Sequence, residues 1–291
     1  MKKVLILGIN SFTGSYIAKL LSSSFIIKGT STSGQGNSYR FVVGVDELCN
    51  LEKIIFDNAI DVVINCISLG DVDACEDNNS LCESLNYEFV KSIALLQNSL
   101  GFHLIHFSSN AVYGGETGYY SESCTKKPIN FYGKTKLKAD EFLLKNGGDI
   151  TILRPITMYG LRIGKQRHNP FSFFCEQIKQ GNKITAVNDV YVNFLYVEDL
   201  VKCVDIAIRK SIFGVFNLSG EQNLSRAAFV RLMLSYFPKS DSQINIVSSE
   251  SFPTKALRPK DTSFNNSKMK KVFGFTPRTI HEIISELLNR S

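Results

Sequence analysis

Lys3-Val4-Leu5-Ile6-Leu7-Gly8-Ile9-Asn10-Ser11-Phe12-Thr13-Gly14 is the stretch whose reading decides the fold. Val4 to Leu7 form an unbroken apolar run, the pattern of a strand buried on both faces. Gly8 ends the run, and Gly14 opens a segment with Ile17, Leu20 and Leu21 at helical spacing. Strand, glycine turn and helix in this order are what a dinucleotide-binding turn needs. The turn must be tight, the backbone must approach a pyrophosphate closely, and the helix N-terminus supplies N–H groups and the positive end of its dipole. A plain βα connection is the alternative reading, since Ser11 stands where a middle glycine would help.

Working outward, Phe25-Ile26-Ile27 reads as a second strand running into Gly29-Thr30-Ser31-Thr32-Ser33-Gly34. An acid at this point would bind the ribose hydroxyl of NAD. None is present. Hydroxyls from Thr30 and Ser31 onward, with Arg40 not far off, suit a 2′-phosphate, so NADP(H) is expected rather than NAD. Arg40 to Val45 reads as a short third strand, followed by a helix with Leu51, Ile54 and Ile55. Asp61 to Cys66 is a buried strand that ends in the small-residue loop Ile67-Ser68-Leu69-Gly70. A helix with Leu85, Phe89, Ile93 and Leu96 as core residues follows. Leu104 to Phe107 is a strand that delivers Ser108 to Gly114 to the same edge, and Ile150 to Leu153 leads to Arg154 through Gly160.

Strands alternating with helices predict an α/β fold, a doubly wound parallel sheet of the Rossmann type. Ligands of such sheets bind outside the strand C-termini. The expected division is a cofactor-binding half over 1–160, completed by a helix at about 196–211. A smaller substrate-binding lobe is expected over 161–195 and 212–291, where elements are shorter. Ile280, Ile283, Ile284, Leu287 and Leu288 give the last helix a plain apolar stripe.

In Asn130-Phe131-Tyr132-Gly133-Lys134-Thr135-Lys136 a phenol and an ammonium stand four residues apart. On a helix, Tyr132 and Lys136 share one face, one turn apart. A free phenol titrates at about 10. A nearby fixed positive charge stabilises the phenolate, so Lys136 is expected to lower the Tyr132 pKa and make it a usable general acid. Leu137, Phe142 and Leu143 are the expected apolar set of this helix. Taken alone, the pair reads more readily as a surface tyrosine beside a solvated lysine, and the rest of the chain is what favours function.

Composition bounds the function classes. With 44 % hydrophobic and 21 % charged residues in 291, the chain is an ordinary globular protein with room for one large α/β domain or two smaller ones. A net charge of +6 favours an anionic ligand, but the basic residues are dispersed, which argues against nucleic acid. Seven cysteines, an odd count without Cys-x-x-Cys, and four unclustered histidines argue against a metal site. Free thiols fit a reducing cytoplasm. The apolar run after Lys3 is too short for a signal peptide, and no stretch reaches the ~20 apolar residues of a membrane span.

The glycine turn, Ser109 at a strand end, Tyr132 and Lys136 together resemble the extended short-chain dehydrogenase/reductase superfamily, over nearly the whole chain. Within it the chain resembles the dTDP-4-dehydrorhamnose reductase family. The residues that carry this are Val63-Ile64-Asn65, Val72 to Glu76, Leu85-Asn86, Ser109 to Gly114 and Tyr132 to Lys136. Further along they are Val197 to Leu200, Asn217 to Gly220, Leu224-Ser225-Arg226 and Arg258-Pro259.

The resemblance implies that Tyr132 protonates a carbonyl oxygen as hydride arrives, that Ser109 hydrogen-bonds the same oxygen, and that Lys136 holds the nicotinamide ribose and biases the tyrosine. It implies Gly8, Ser11, Phe12, Thr13 and Gly14 at the pyrophosphate, Cys66, Ile67 and Ser68 along the cofactor, and Pro155 near the nicotinamide. Val72, Asn110 and Thr157 match positions that touch a nucleotide sugar. It implies reduction of the 4-keto group of a nucleotide-linked 6-deoxy sugar, and it is compatible with a homodimer.

Asn110 and Thr157 stand where the family has an acid and an aromatic, which leaves the sugar open. Asn110-Ala111 lacks the acid–base pair of a 4,6-dehydratase. An NAD-dependent epimerase stays as the enzymatic alternative. A non-catalytic regulatory or binding subunit is the alternative from another class.

Overall fold

Alternate residues of a strand look to opposite faces of its sheet. Val4 and Ile6 enter one buried cluster, Leu5 and Leu7 another. Strand β1 (Lys3–Leu7) is therefore covered on both sides, as its unbroken apolar run requires. The computed structural model describes every residue except Asn37, Lys165, Pro253 and Ser291.

Beside β1 lie β2 (Ile26–Ser31) and then β3 (Ser38–Arg40) on one side. On the other lie β4 (Val62–Asn65), β5 (His103–Phe107), β6 (Ile150–Pro155) and a seventh strand, Gly214–Leu218. All neighbours pair parallel, with Leu7 beside Asn65, Asn65 beside His106 and Phe107 beside Leu153. The order reverses at β1, so the switch point falls between β1 and β4, above their C-termini. Helix α1 (Phe12–Leu21), the helix Val197–Lys210 and the terminal helix Ile280–Asn289 cover one face. Helices α2 (Leu48–Asp57), α5 (Phe89–Leu100) and α6 (Phe131–Asn146) cover the other.

Several bounds differ from the sequence reading. Helix α1 starts at Phe12, because Ser11 is its N-cap and its Oγ accepts the Gly14 N–H at 3.1 Å. The third strand lies earlier than expected, over Ser38–Arg40. Phe41 to Asp46 turn away instead, held by the Asp46 carboxylate on the Val42 N–H at 2.6 Å. The helix expected around Leu85 is broken into α3 (Val72–Asp77), α4 (Asn79–Glu83), a π-helical turn over Ser84–Glu88 and α5. The extra residue of the π turn leaves Leu85 half-buried and makes Asn86 the fully buried side chain. On α6, Leu137 and Phe142 are likewise half-buried, whereas Lys136 and Asp140 are buried. The strand Gly214–Leu218, within the span assigned to the lobe, extends the main sheet beside β6.

The remaining C-terminal segments form three two-stranded ribbons, among the described residues. Met158–Tyr159 pairs with Leu195–Tyr196, Tyr191–Val192 with Leu224–Ser225, and Ile184–Val187 with Ile244–Val247. The helices Pro170–Lys179 and Arg226–Leu234 pack against them.

Candidate active site

A cavity of about 340 Å³ opens where the C-termini of β1, β4, β5 and β6 converge. Thr13, Cys66, Ile67, Ser68, Val72, Ser109, Asn110, Tyr132, Lys136, Pro155 and Thr157 all line it. Segments far apart in sequence thus supply one wall after another. Asn65, Ser108 and Met158 also line it and were not anticipated.

Helix α6 brings in the phenol and the ammonium. Its N-cap, Asn130, accepts the Gly133 N–H at 2.8 Å, while the Asn130 amide donates to the Leu257 carbonyl at 2.9 Å. A Cβ on Gly133 would stand 2.2 Å from the Ala111 carbonyl oxygen. Only glycine lets the helix come this close to the turn that carries Ser109. The Ser109 hydroxyl accepts the Ala111 N–H at 3.1 Å, and Ser109 lines the same cavity as Tyr132. Tyr132 and Lys136 face the same cavity, as their spacing predicts.

The electrostatics correct one expectation. Burial pushes the Tyr132 phenol up to about 12, and the Ser109 side chain opposes this only in part. The Lys136 ammonium lies 5.9 Å from the Tyr132 ring centroid and donates instead to the Phe107 carbonyl at 3.0 Å. Its charge does not bring the phenol below its ordinary value in this state. Burial pulls Lys136 itself down to about 8, against the nearby Asp140 carboxylate. Asp140, one turn further along α6, forms a fully buried ion pair with Arg154 at 2.8 Å. Arg154 in turn donates to the Tyr113 hydroxyl at 3.0 Å. This buried charged network behind the lysine carries no periodic signal in the sequence.

Asn86 is the functional residue that periodicity missed. Its Oδ1 accepts the Leu69 N–H at 2.8 Å and its Nδ2 donates to the Leu69 carbonyl at 3.1 Å. One amide thus clamps both backbone groups of a residue in the loop that lines the cavity. Asn86 also touches Thr135 Oγ1 at 3.5 Å, between Tyr132 and Lys136. A polar residue inside an apolar stripe was the available signal.

The first turn tests whether a dinucleotide fits. Gly8 has φ +77°, a Cβ on Gly14 would lie 2.6 Å from the Gly8 carbonyl oxygen, and a Cβ on Gly29 would strike Ile9. Backbone is therefore packed on backbone here, and Thr13, in the first turn of α1, lines the cavity. The residues present fit a pyrophosphate. Ser11 caps the helix, so its hydroxyl points into the turn. Phe12 packs edge-on against Tyr16, with ring centroids 5.4 Å apart. Thr30 departs from the expected contact with the ribose. It is fully buried, its carbonyl accepts Gly8 and Ile9 N–H, and its hydroxyl lies 3.3 Å from the Gly8 N–H. Ser31 likewise turns inward, accepting the Gly34 N–H at 3.0 Å and meeting Ser38 at 2.9 Å. Thr32 and Ser33 are the exposed hydroxyls of this stretch. Arg40 is paired with Asp46 at 3.0 Å.

On the far side, Asn110 donates to the Thr262 hydroxyl at 2.7 Å and accepts from Ser109 at 3.3 Å, tying Ser109 to the C-terminal segment. Arg258 pairs with Asp73 at 2.9 Å, yet its Nη1 is buried without a hydrogen-bond partner among the described residues. Arg226 is exposed; partial desolvation, and then the charge of Arg258, hold it below the ordinary arginine value. A buried guanidinium donor with no protein partner suits an anion. Among the described residues no cluster of three or more His, Cys, Asp or Glu side chains forms a metal site, and no helix is long and apolar enough to cross a membrane.

A parallel doubly wound sheet with serine, tyrosine and lysine gathered at its strand ends defines an extended short-chain dehydrogenase/reductase. A family model described as the RmlD substrate binding domain matches residues 1–291, and the chain belongs to that family. Methionine adenosyltransferase 2 subunit beta of Xenopus laevis is 26 % identical over 286 residues, 96 % of this chain and 84 % of that protein. The dTDP-4-dehydrorhamnose reductase of Salmonella typhimurium is 26 % identical over 224 residues, 73 % of this chain and 74 % of that protein. The fold is shared with dTDP-4-dehydrorhamnose reductase from Bacillus anthracis in complex with NADP, over 100 % of both chains, at TM-score 0.88 and 23 % identity. It is shared also with UDP-glucuronic acid 4-epimerase from Bacillus cereus in complex with UDP-glucuronic acid and NAD. That match covers 99 % of this chain and 98 % of the other, at TM-score 0.84 and 21 % identity.

Proposed function

We propose that the protein is an NADPH-dependent reductase of the 4-keto group of a nucleotide-linked 6-deoxy sugar. The observation that carries this is Ser109, Tyr132 and Lys136 gathered in the wall of one cavity. A nicotinamide dinucleotide, when bound, supplies the hydride. Gly8, Thr13 and Gly14 would hold its pyrophosphate, and Cys66, Ile67, Ser68 and Pro155 would lie along it. Thr32, Ser33 and Arg40, with no acid among residues 29–34, favour a 2′-phosphate.

The chain's own residues do the rest. Tyr132 stays protonated at neutral pH, since burial holds its pKa at about 12. It gives this proton to the developing alkoxide. Ser109 donates a hydrogen bond to the same oxygen and orients it. Lys136 holds a ribose hydroxyl and places a positive charge beside the phenol just as the phenolate forms, so it acts on the product of proton transfer more than on the resting acid. Val72, Asn110 and Thr157 face the sugar, and Arg226 with Arg258 would take its diphosphate. Asp140 and Arg154 act through Lys136 as positioning residues.

A second reading is favoured by the relative from Xenopus laevis, named as a subunit, beta, of methionine adenosyltransferase 2: a regulatory or binding role on the same fold. Retention of Ser109, Tyr132 and Lys136 together supports the enzymatic reading over it. The test is NADPH oxidation with a panel of dTDP-, GDP-, UDP- and CDP-4-keto-6-deoxy sugars, after titration with NADPH and NADH. Consumption with one sugar and a 4-hydroxy product by NMR is the expected result. Tighter NADH binding moves the reading to an epimerase. No turnover with cofactor bound moves it to a binding subunit.

A further inference from the structure

Gln166 and Arg167 follow the strand Met158–Tyr159 and precede the helix Pro170–Lys179. Neither was singled out in the sequence, and neither lines the cavity floor. Gln166 docks on the first βα turn. Its Nε2 lies 3.2 Å from the Asn10 carbonyl, 3.1 Å from the Ser11 carbonyl and 2.6 Å from Ser15 Oγ. Its Oε1 accepts the Ile163 N–H at 3.2 Å, which fixes the amide at both ends.

The next side chain reaches the opposite wall. Arg167 Nη2 is 2.8 Å from Asp71 Oδ2. Asp71 stands between Gly70 and Val72, both of which line the cavity. Its other oxygen, Oδ1, caps α3 by accepting the Asp73 and Ala74 N–H groups at 3.0 and 3.2 Å. The Ala74 amide first, and Arg167 after it, keep this carboxyl ionised. Two consecutive residues therefore join the turn at the end of β1 to the connection after β4. Those are the two walls between which a dinucleotide would lie.

We infer that Gln166 and Arg167 form a strap across the cofactor groove, with the Arg167–Asp71 pair as its latch. A dinucleotide enters and leaves when that latch opens. This rests on the dinucleotide-binding reading above. The two ends of the strap differ in strength. Gln166 holds backbone groups and a hydroxyl at several points. Arg167 is 71 % exposed and Asp71 37 %, so water competes for both charges and the pair is weak. Opening leaves the α3 cap in place, because Oδ1 and not Oδ2 makes it. The latch therefore opens without disturbing α3.

The test is stopped-flow NADPH binding to the full chain, comparing wild type with Asp71→Asn, Arg167→Gln, the double variant and Arg167→Lys. Asparagine caps a helix as well as aspartate does, so Asp71→Asn removes the latch and keeps the cap. Each single variant should raise both the association and the dissociation rate by a common factor of roughly two to five, the size expected of an exposed ion pair. The double variant should go no further than either single one, and Arg167→Lys should stay near wild type. Unchanged rates, or additive effects in the double variant, overturn the strap while leaving the proposed function standing. Failure of wild type to bind any nicotinamide dinucleotide overturns both.

Discussion

The main sheet and the C-terminal lobe are held together by opposite means. The sheet side rests on a backbone ladder and alternating apolar residues. Val62, Val63 and Ile64 are all fully buried, and each neighbouring strand pairs in parallel register. The lobe side rests on side-chain amides that stitch distant segments. Asn193 Nδ2 donates to Ser219 Oγ at 2.8 Å and to the Phe264 carbonyl at 2.9 Å, and its Oδ1 accepts the Phe264 N–H at 3.0 Å. Ribbons of two to four residues cannot hold register alone. A scaffold built on periodicity places Ser109, Tyr132 and Lys136, and a scaffold built on single amides holds the C-terminal segments.

That contrast predicts separable failures. Tyr132→Phe removes one transferable proton and no packing. Turnover should fall by about 10²- to 10⁴-fold, with NADPH affinity and thermal stability close to wild type. Steady-state kinetics beside a cofactor titration checks this, and a variant that keeps most of its activity means the acid lies elsewhere. Asn193→Ala strikes the other side. It leaves buried Phe264 and Ser219 groups unpaired, so stability should drop by about 1–3 kcal/mol, read from denaturant midpoints. KM for the nucleotide sugar should rise while the dinucleotide Kd moves little. Equal weakening of both ligands would show that the two sides are not mechanically distinct.

The smallest effect is in the pH profile. The proposed reduction needs Tyr132 protonated and Lys136 charged. The phenol, at about 12, stays protonated across the working range. Lys136, held down to about 8 by burial, loses its charge as pH rises through that value. The reductive kcat/KM of the free enzyme should therefore be flat below pH 8 and decline above it. A decline that begins only near pH 10 would mean that Lys136 is not the titrating group.

Legibility in the sequence follows the same division. Buried parallel strands announce themselves as apolar runs, so β1, β2, β4, β5 and β6 could be read directly, whereas β3 was expected too late and the strand Gly214–Leu218 was left in the lobe. The Tyr132–Lys136 pair was legible because i,i+4 spacing has one geometric meaning on a helix. Its electrostatics were not, because the spacing does not reveal how dry the site is. Thr30 and Ser31 misled for a related reason. A hydroxyl in a turn can serve a ligand or its own backbone, and only the folded turn decides. Asn86 was hidden by a π turn that a 3.6-residue period cannot register. The Asp140–Arg154 pair joins residues 14 apart, with no local pattern to mark it.

The π-helical turn over Ser84–Glu88 also governs which length changes the gene can absorb. Each residue of a helix advances its direction by about 100°. Loss of a single codon in this turn would yield a more regular helix, with α4 and α5 swung against each other by that amount. Asn86 would then leave Leu69, and the loop carrying Ile67, Ser68 and Gly70 would lose its anchor. Point changes along the exposed face of α5 are cheap by comparison. An insertion or deletion here regularises the backbone and dismantles the site.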